Sequence, residues 1–410
     1  MTGPNVLALI LAGGKGNRLF PLTAERSKPA VPFGGRYRII DFVLSNMINS
    51  QIFSIYMLVQ YKSQSLIEHI RRNWVLSSLV PSHFITLVPP QMRRGSEWFQ
   101  GTADAVNQNL NLIRHNNPDL VAIFGADHIY RMDIRQMVDF HLARNASVTV
   151  AARPVPLSEG SSFGIISTEA DGKITGFLEK PKRPTPMPSD PTRCYASMGN
   201  YIFNTNVLFD ALADAERHHE HDFGGYVLPK LVPSGRLFAY DFSTNVIAGQ
   251  RPTEETGYWR DVGTIRSYWE AHRDMLGENP LFDIDNQFWP IRPSRHSRPA
   301  AKILGGEITN SVIAEGSVVH PETVIRNSTI RRGVVIERGA VIEDSVIMDN
   351  VVVRGGAKLR RAIVDRNNVL DSHLRIGCED QTEEFWGAHF DPSGIAVIPK
   401  RPSVSRQDEE

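Results

Sequence analysis

The chain contains 410 residues, and its 45 basic and 45 acidic side chains give a formal net charge of zero. This length predicts two domains, and the charge balance argues against a nonspecific nucleic-acid binder, which needs a basic surface. The two cysteines, Cys194 and Cys378, offer no disulfide or zinc framework, and no apolar stretch is long enough to cross a bilayer. We therefore expect a cytoplasmic protein that binds neither membranes nor nucleic acid.

The first predicted element is a buried parallel strand over residues 6–11, because this apolar run is too short for a helix and is followed by glycines. The glycines allow a tight turn whose backbone N–H groups can approach an anion, and they are Gly13, Gly14 and Gly16. Three cations accompany the turn, namely Lys15, Arg18 and Lys28. Neither a P-loop nor a dinucleotide-binding fingerprint is present. An ordinary glycine turn is the alternative, but the added cations favour a cradle for the phosphates of a nucleoside triphosphate.

The segment that follows alternates between strand and helix patterns. Strands are predicted at 55–59, 84–88, 120–124 and 148–152, and helices at 65–72 and from Gly101 to Ile113. A polar loop is predicted at 91–100 and a proline-rich surface loop at 183–191. This alternation predicts an open α/β sheet whose ligands lie at the carboxyl ends of the strands.

The composition changes after about residue 276, where a linker rich in proline, arginine and aromatic residues is predicted over 277–300. Beyond it, aliphatic residues recur every six positions, first at Val312, Val318, Val324, Ile330, Ile336 and Ile342. Two further phases follow, Ile347, Val353 and Leu359, then Val364, Leu370 and Ile376. This hexapeptide period predicts a parallel β-helix over 301–398, with a chance series of short sandwich strands as the alternative. Residues 399–410 are polar and predicted to be disordered.

Several motifs resemble a known family. Residues 11–19, followed by Lys28 and Pro29, resemble the signature of sugar-1-phosphate nucleotidyltransferases. The stretches 29–35 and 38–46 are similar to the branch of bacterial glucose-1-phosphate adenylyltransferases, and the similarity extends to about residue 377. The resemblance implies an α/β fold in which an open Rossmann-like nucleotidyltransferase sheet (1–276) precedes a left-handed parallel β-helix of hexapeptide repeats. It also implies Mg²⁺-dependent transfer of AMP from ATP to α-D-glucose 1-phosphate, for glycogen synthesis, by a homotetramer under allosteric control.

Site residues carry over from the matching motifs. Nucleotide-binding positions are Leu11, Ala12, Gly13, Gly14, Lys15, Gly16, Lys28 and Gly101. Catalytic positions are Arg18, Lys28, Asp127 and Asp261, of which the two aspartates are expected to hold Mg²⁺. Positions expected to contact glucose 1-phosphate are Phe99, Gly164, Glu179, Lys180 and Ser197. Phe99 is a departure, since the family usually has tyrosine there, so a hydroxyl contact to the sugar is lost.

The chemistry of these residues agrees with phosphoryl transfer. Asp127 directly follows a predicted strand, where it can bind Mg²⁺, although a helix N-cap is the alternative for an aspartate at this position. No pattern for a serine or cysteine nucleophile with its base is present. None is needed if a sugar phosphate attacks, because its second ionisation lies near pH 6 and it arrives charged. The protein then has to position and neutralise two anions.

Regulation and specificity leave alternatives open. Relatives of this kind are controlled by anionic metabolites bound where the catalytic domain meets the β-helix, and the matching cations are Arg26 and Arg38. Glu25 stands where members activated by fructose bisphosphate carry lysine, which disfavours a bisphosphate effector unless Glu25 simply faces solvent. A uridylyl or thymidylyl transferase and a catalytically silent regulatory subunit remain the alternative functions.

Overall fold

A computed structural model describes residues 3–76, 79–91, 98–292, 298–378 and 387–400. The first part of the chain forms a mixed sheet with helices on both faces. Its helices are α1 (Ile40–Asn49), α2 (Gln64–Asn73), α3 (Thr102–Asn107), α4 (Leu110–Asn116), α5 (Ile134–Ala143), α6 (Thr205–Arg217), α7 (Leu228–Leu231) and α8 (Ile265–Arg273). Its strands are β1 (Val6–Ala12), β2 (Pro32–Phe33), β3 (Tyr37–Arg38), β4 (Ser54–Val59), β5 (Phe84–Val88), β6 (Leu120–Gly125), β7 (His128–Tyr130), β8 (Val148–Pro156), β9 (Gly164–Thr168), β10 (Ile174–Glu179), β11 (Arg193–Asn204), β12 (Leu237–Asp241) and β13 (Trp259–Asp261).

The large sheet has the order β10-β9-β11-β6-β1-β4-β5, and β8 joins β11 to β12. Strand β1 is parallel to β4 and β6, as the alternating pattern predicts, whereas β11 runs antiparallel to β6, which makes the sheet mixed. Side chains of β1 alternate between two cores, with Ala8 and Ile10 on one face and Leu7 and Leu9 on the other. Burial on both faces explains why β1 reads as a continuous apolar run.

The predicted strands 6–11, 55–59, 84–88, 120–124 and 148–152 and the helix 65–72 are all present. The single helix expected from Gly101 to Ile113 is wrong, because the structure divides it into α3 and α4. The side-chain amide of Asn109 donates to the carbonyl of Ala105 at 2.8 Å, and Gln108 donates to Asp104 at 2.8 Å. Side-chain amides that bond locally in this way compete with continued helix.

The last part of the chain is a parallel β-helix built from short strands. They are β14 (Lys302–Ile303), β15 (Glu307–Thr309), β16 (Val312–Ile313), β17 (Val318–Val319), β18 (Val324–Arg326), β19 (Thr329–Ile330), β20 (Val335–Ile336), β21 (Val341–Glu343), β22 (Val346–Ile347), β23 (Val352–Val353), β24 (Lys358–Arg360), β25 (Ala362–Val364), β26 (Val369–Leu370), β27 (Arg375–Ile376), β28 (His389–Phe390) and β29 (Ala396–Ile398). Three sheets form its sides, for example the parallel sheet β14-β17-β20-β23-β26, and one of them ends with β28 antiparallel to β29. Stacked residues such as Ser311, Ser328 and Ser345 are 17 positions apart.

This 17-residue coil corrects the predicted phase at the beginning of the repeat. The inward positions are Ile313, Val319 and Ile325, whereas Val312 and Val318, which the strict period of six selects, are only half-buried. From Ile330 onward the predicted aliphatic residues lie in the core of the β-helix.

The linker and the C-terminal end pack against the rest of the molecule. The described residues of 277–300 form no helix or strand, yet Phe282, Trp289 and Ile291 are buried. Pro399 and Lys400 are held by Asn368 and Glu25, unlike the predicted disorder from residue 399, and residues 401–410 lie outside the described part of the chain. A shared apolar core joins the two parts of the molecule. None of the helices in the described ranges is long and apolar enough to pass through a bilayer.

Candidate active site

The glycine-rich turn after β1 forms one wall of a cleft of about 730 Å³. Gly16 has φ +65°, a left-handed conformation that glycine adopts without steric cost, and its carbonyl accepts a hydrogen bond from the Thr23 hydroxyl at 3.0 Å. The predicted nucleotide-binding residues all line this cleft, namely Leu11, Ala12, Gly13, Gly14, Lys15, Gly16, Lys28 and Gly101. Arg18 and Asp127 line it too, so the turn, its cations and one of the two aspartates share a single cavity.

Two carboxylates and one ammonium group meet at the end of the cleft. The short strands β7 and β13 pair so that Asp261 lies opposite His128, next to Asp127. The Lys28 ammonium donates to Asp127 Oδ2 at 2.9 Å and to Asp261 Oδ1 at 2.7 Å. Arg18 approaches Asp261 more loosely, at 3.8 Å, with a largely exposed side chain. The structure therefore brings together the four residues that were predicted to be catalytic.

The charges of this cluster shift its proton equilibria. Burial favours the neutral form of Asp127, but the charges of Lys28 and His128 outweigh it and hold the pKa of Asp127 below its usual range. Burial likewise disfavours the Lys28 ammonium, yet the two carboxylates raise the pKa of Lys28 above its ordinary value. The Asp127 carboxylate and the Lys28 ammonium therefore both stay charged at neutral pH.

The aspartates are suited to a divalent cation. Donor atoms of Asp127, His128 and Asp261 lie within 4.8 Å of one another. Two carboxylates with room for phosphate oxygens and water match the ligands that Mg²⁺ prefers. His128 Nδ1 is buried and has no hydrogen-bond partner among the described residues, and its ring packs against Trp259 at 4.7 Å. The residues present thus fit the expected metal.

Gly101 and Phe99 also line the cleft. A side chain at Gly101 would collide with the carbonyl of His221, since its Cβ would lie 2.2 Å from that oxygen. The same carbonyl accepts the N–H of Ala103 at the start of α3. Gln60 fixes the backbone of Phe99 from both sides, accepting its N–H at 2.8 Å and donating to its carbonyl at 3.2 Å. This close packing keeps both residues at the cleft.

The other residues predicted to bind sugar phosphate lie on neighbouring strands. Glu179 pairs with Gly164 across β10 and β9, and the Lys180 ammonium contacts the Glu179 carboxylate at 2.8 Å. Lys180 is mostly exposed and has φ +46°. The Ser197 hydroxyl accepts the N–H of Gly199, which lines the cleft, at 3.3 Å. Of the five sugar positions, Phe99 lines the 730 Å³ cavity itself, whereas these four do not.

Sequence reasoning missed several residues that line the cleft, namely Gln60, His128, Tyr201 and Asp222. Gln60 and His128 carry a detectable signal, because each polar side chain follows closely after the carboxyl end of a parallel strand. Tyr201 lies within β11, where nothing in the pattern distinguishes it from a core residue. Among the described residues that line the cleft, none carries a thiol and only Thr102 and Tyr201 carry a hydroxyl, which agrees with direct attack by the substrate.

A second cavity, of about 260 Å³, lies between the two parts of the molecule. Its lining is rich in arginine, with Arg38, Arg72, Arg298, Arg331, Arg332 and Arg366. Burial, together with the charge of Arg366, lowers the pKa of Arg38 to about 10. Arg26, the other predicted effector residue, does not line this cavity and is paired with Asp365 at 2.6 Å. Glu25 is paired with Lys400 at 2.6 Å while 48% of its side chain stays exposed, so its effect on the choice of effector stays a prediction.

Comparison with known proteins agrees with the two parts of the fold. A model of the nucleotidyl transferase family matches residues 7–278, and a GlmU-like C-terminal hexapeptide model matches residues 296–398. A protein of Thermodesulfovibrio yellowstonii named glucose-1-phosphate adenylyltransferase is 59% identical, with 97% of this chain and 96% of that protein covered. Proteins of the same name from Anaeromyxobacter sp. and Frankia casuarinae are 46% and 45% identical over at least 97% of each chain. The chain therefore belongs to the nucleotidyl transferase family, in the branch of the glucose-1-phosphate adenylyltransferases.

Proposed function

We propose that this protein transfers the adenylyl group of ATP to α-D-glucose 1-phosphate, releasing pyrophosphate and forming ADP-glucose for α-glucan synthesis. The observation that carries the proposal is the cleft whose lining combines the glycine-rich cradle, three cations and Asp127, with Asp261 joined to it through Lys28. The names of the relatives support ATP and glucose 1-phosphate as the substrates.

The reaction needs no nucleophile from the protein. A phosphate oxygen of the sugar phosphate attacks the α-phosphorus of ATP, and the bond from that phosphorus to the oxygen bridging it to the β-phosphorus breaks as pyrophosphate leaves. Lys28, which is buried at the end of the cleft, neutralises charge where the sugar phosphate meets the α-phosphate of ATP. Arg18 and Lys15 hold the triphosphate. Asp127 and Asp261 would hold Mg²⁺, which would supply further charge neutralisation to the phosphates.

The sugar phosphate is held by the remaining predicted residues. Lys180 pairs with the phosphate, Glu179 accepts hydrogen bonds from sugar hydroxyls, and Ser197 and Gly164 complete the contacts. Support comes from the strand pairing that places Glu179 beside Gly164 and from the hydrogen bond between Ser197 and the cleft residue Gly199. Phe99 offers its aromatic face only.

Regulation takes place at the arginine-rich cavity between the two parts of the molecule. An anionic metabolite binds there against Arg38, and the neighbouring arginines explain a preference for phosphorylated ligands. The protein acts in the cytoplasm as a homotetramer, with the β-helix contributing to assembly. Both cysteines are free thiols, as is usual in a reducing compartment.

A nucleotide-by-sugar-phosphate activity matrix tests the function. ATP, UTP and dTTP are each combined with glucose 1-phosphate and with other sugar 1-phosphates, with and without Mg²⁺. We expect pyrophosphate release only with ATP, glucose 1-phosphate and metal. Preferred use of UTP or dTTP would show that the protein is a uridylyl or thymidylyl transferase instead. No turnover in any combination would favour a catalytically silent regulatory subunit.

A further inference from the structure

The last coil of the β-helix holds the loop that separates two cations of the active site. This loop, residues 19–27, runs between Arg18 and Lys28. Among the described residues, a ring contact and two ion pairs reach it from the C-terminal part of the chain: the rings of Phe20 and His389 meet edge to face at 5.9 Å, Glu25 pairs with Lys400, and Arg26 pairs with Asp365.

The pair of Arg26 and Asp365 is the most deeply buried of the three contacts. The Arg26 side chain is 3% exposed and that of Asp365 is 1% exposed. Arg26 Nη2 donates to both carboxylate oxygens, at 2.8 and 2.6 Å. Its Nε and Nη1 atoms are buried and have no partner among the described residues, so Asp365 supplies the anion that this guanidinium needs.

Asp365 itself is rigidly placed. It follows β25 directly, its N–H donates to the carbonyl of Ile398, and its Oδ1 accepts the N–H of Arg366 at 2.7 Å. The backbone of the stacked β-helix thus fixes the position of the Asp365 carboxylate. Because Arg26 is paired with this carboxylate, the ion pair fixes the position of the loop as well.

From these contacts we propose that Asp365 is a positioning residue for the adenylyl transfer, which acts through Arg26 on Lys28. Only Ser27 separates Arg26 from Lys28, and a tight helical turn begins at Lys28. On the opposite side the Lys62 ammonium donates to the carbonyls of Thr23 and Ala24. The loop is therefore held between Lys62, which precedes α2, and the β-helix. If the contacts to the β-helix are lost, the loop can shift toward Lys62.

The expected effect is on turnover. A misplacement of a catalytic group by about 1 Å can cost about 10²-fold in rate. Loss of the carboxylate charge in Asp365→Asn should therefore lower kcat by about 10- to 100-fold, while KM for glucose 1-phosphate changes less than about threefold. The same change should raise hydrogen–deuterium exchange in a peptide that covers residues 19–30, because the loop loses its buried anchor.

Asp344→Asn is the matched control. Asp344 is also an aspartate of the β-helix whose carboxylate is paired with a cation of the first part of the chain, Arg273 of α8. This pair includes no residue of the loop, and the left-handed conformation of Asp344 (φ +47°) tolerates asparagine. The control should keep kcat and the exchange of residues 19–30 near the values of the unchanged protein.

Both variants are measured in the full-length protein, with melting temperature recorded in parallel. If Asp365→Asn is not recovered folded, Asp365→Glu replaces it, because the longer side chain displaces Arg26 while keeping the charge. Lower kcat with faster loop exchange, in the Asp365 variant alone, supports the proposal. Unchanged kcat and loop exchange in the variant measured, or equal losses in the Asp344 control, overturn it. The kinetic arm rests on the proposed function, whereas the exchange arm does not, so their failures can be told apart.

Discussion

The replacement Asp127→Asn separates catalysis from stability. It keeps the shape of the side chain but removes its charge, and Lys28 retains Asp261 as a partner at 2.7 Å. The Asp127 side chain is 39% exposed, so water can solvate the new amide and we expect less than about 1 kcal/mol of lost stability. In the transition state, however, removal of one preorganised electrostatic contact costs about 2.7–4 kcal/mol, which corresponds to a loss of about 10²- to 10³-fold in kcat.

The assay is pyrophosphate release at saturating substrates over a Mg²⁺ titration, with ATP binding measured separately in the absence of metal. We expect a low kcat and a higher Mg²⁺ requirement, but nearly unchanged metal-free ATP binding. Glu254→Gln is the contrasting control, because Glu254 pairs with Arg131 at the same distance of 2.9 Å but both side chains are buried outside the cleft. That variant should lose stability and keep its turnover per folded molecule. Near-normal turnover in Asp127→Asn would refute the assignment of this carboxylate.

Three further predictions concern the sugar site, pH and regulation. Lys180→Ala should raise KM for glucose 1-phosphate about 10- to 150-fold, from a charge-assisted contact of about 1.5–3 kcal/mol, and leave KM for ATP unchanged; equal losses for both substrates would argue against a sugar-specific role. Burial lowers the pKa of His272 to about 3, although its hydrogen bond to Tyr268 opposes this. The unfolded chain thus binds a proton that the folded protein excludes, and stability should fall by about 2 kcal/mol from pH 7 to pH 5 through this residue. In urea unfolding at the two pH values His272→Gln should lack that decrease, and an identical decrease would contradict the reasoning. Glu25→Lys should strengthen activation by fructose 1,6-bisphosphate, because it places two ammonium groups side by side with Lys400, and unchanged activation titrations would count against it.

Local sequence patterns predicted the parts of the fold that depend on local physics. The β1 strand, its glycine turn and the clustered cations could be read directly, because apolar burial on both faces and tight turns leave a clear composition. The repeat also revealed the β-helix. The first three positions of the repeat were assigned one residue too early, because each of β16, β17 and β18 has two adjacent aliphatic residues that compete for the inward position. Only the 17-residue coil decides which of the two faces the core.

Long-range pairing could not be predicted. Arg26 and Asp365 are 339 positions apart, and the residues around each of them do not indicate which residue it pairs with. The antiparallel placement of β11 in the sheet was equally hidden, since a strand's direction depends on how the chain returns to the sheet. The sequence likewise did not indicate that Glu25 forms an ion pair with Lys400. The hydrogen bond from Lys400 lowers the pKa of Glu25.

The central claim is that one cleft joins the α-phosphate of ATP directly to glucose 1-phosphate. The most direct test follows the label when the protein is incubated with ATP labelled with ³²P at the α-position, glucose 1-phosphate and Mg²⁺. The account predicts that the label enters ADP-glucose, that pyrophosphate stays unlabelled, and that no label stays on the denatured protein. Label in another product, or a labelled protein intermediate that is consumed on addition of glucose 1-phosphate, would contradict it.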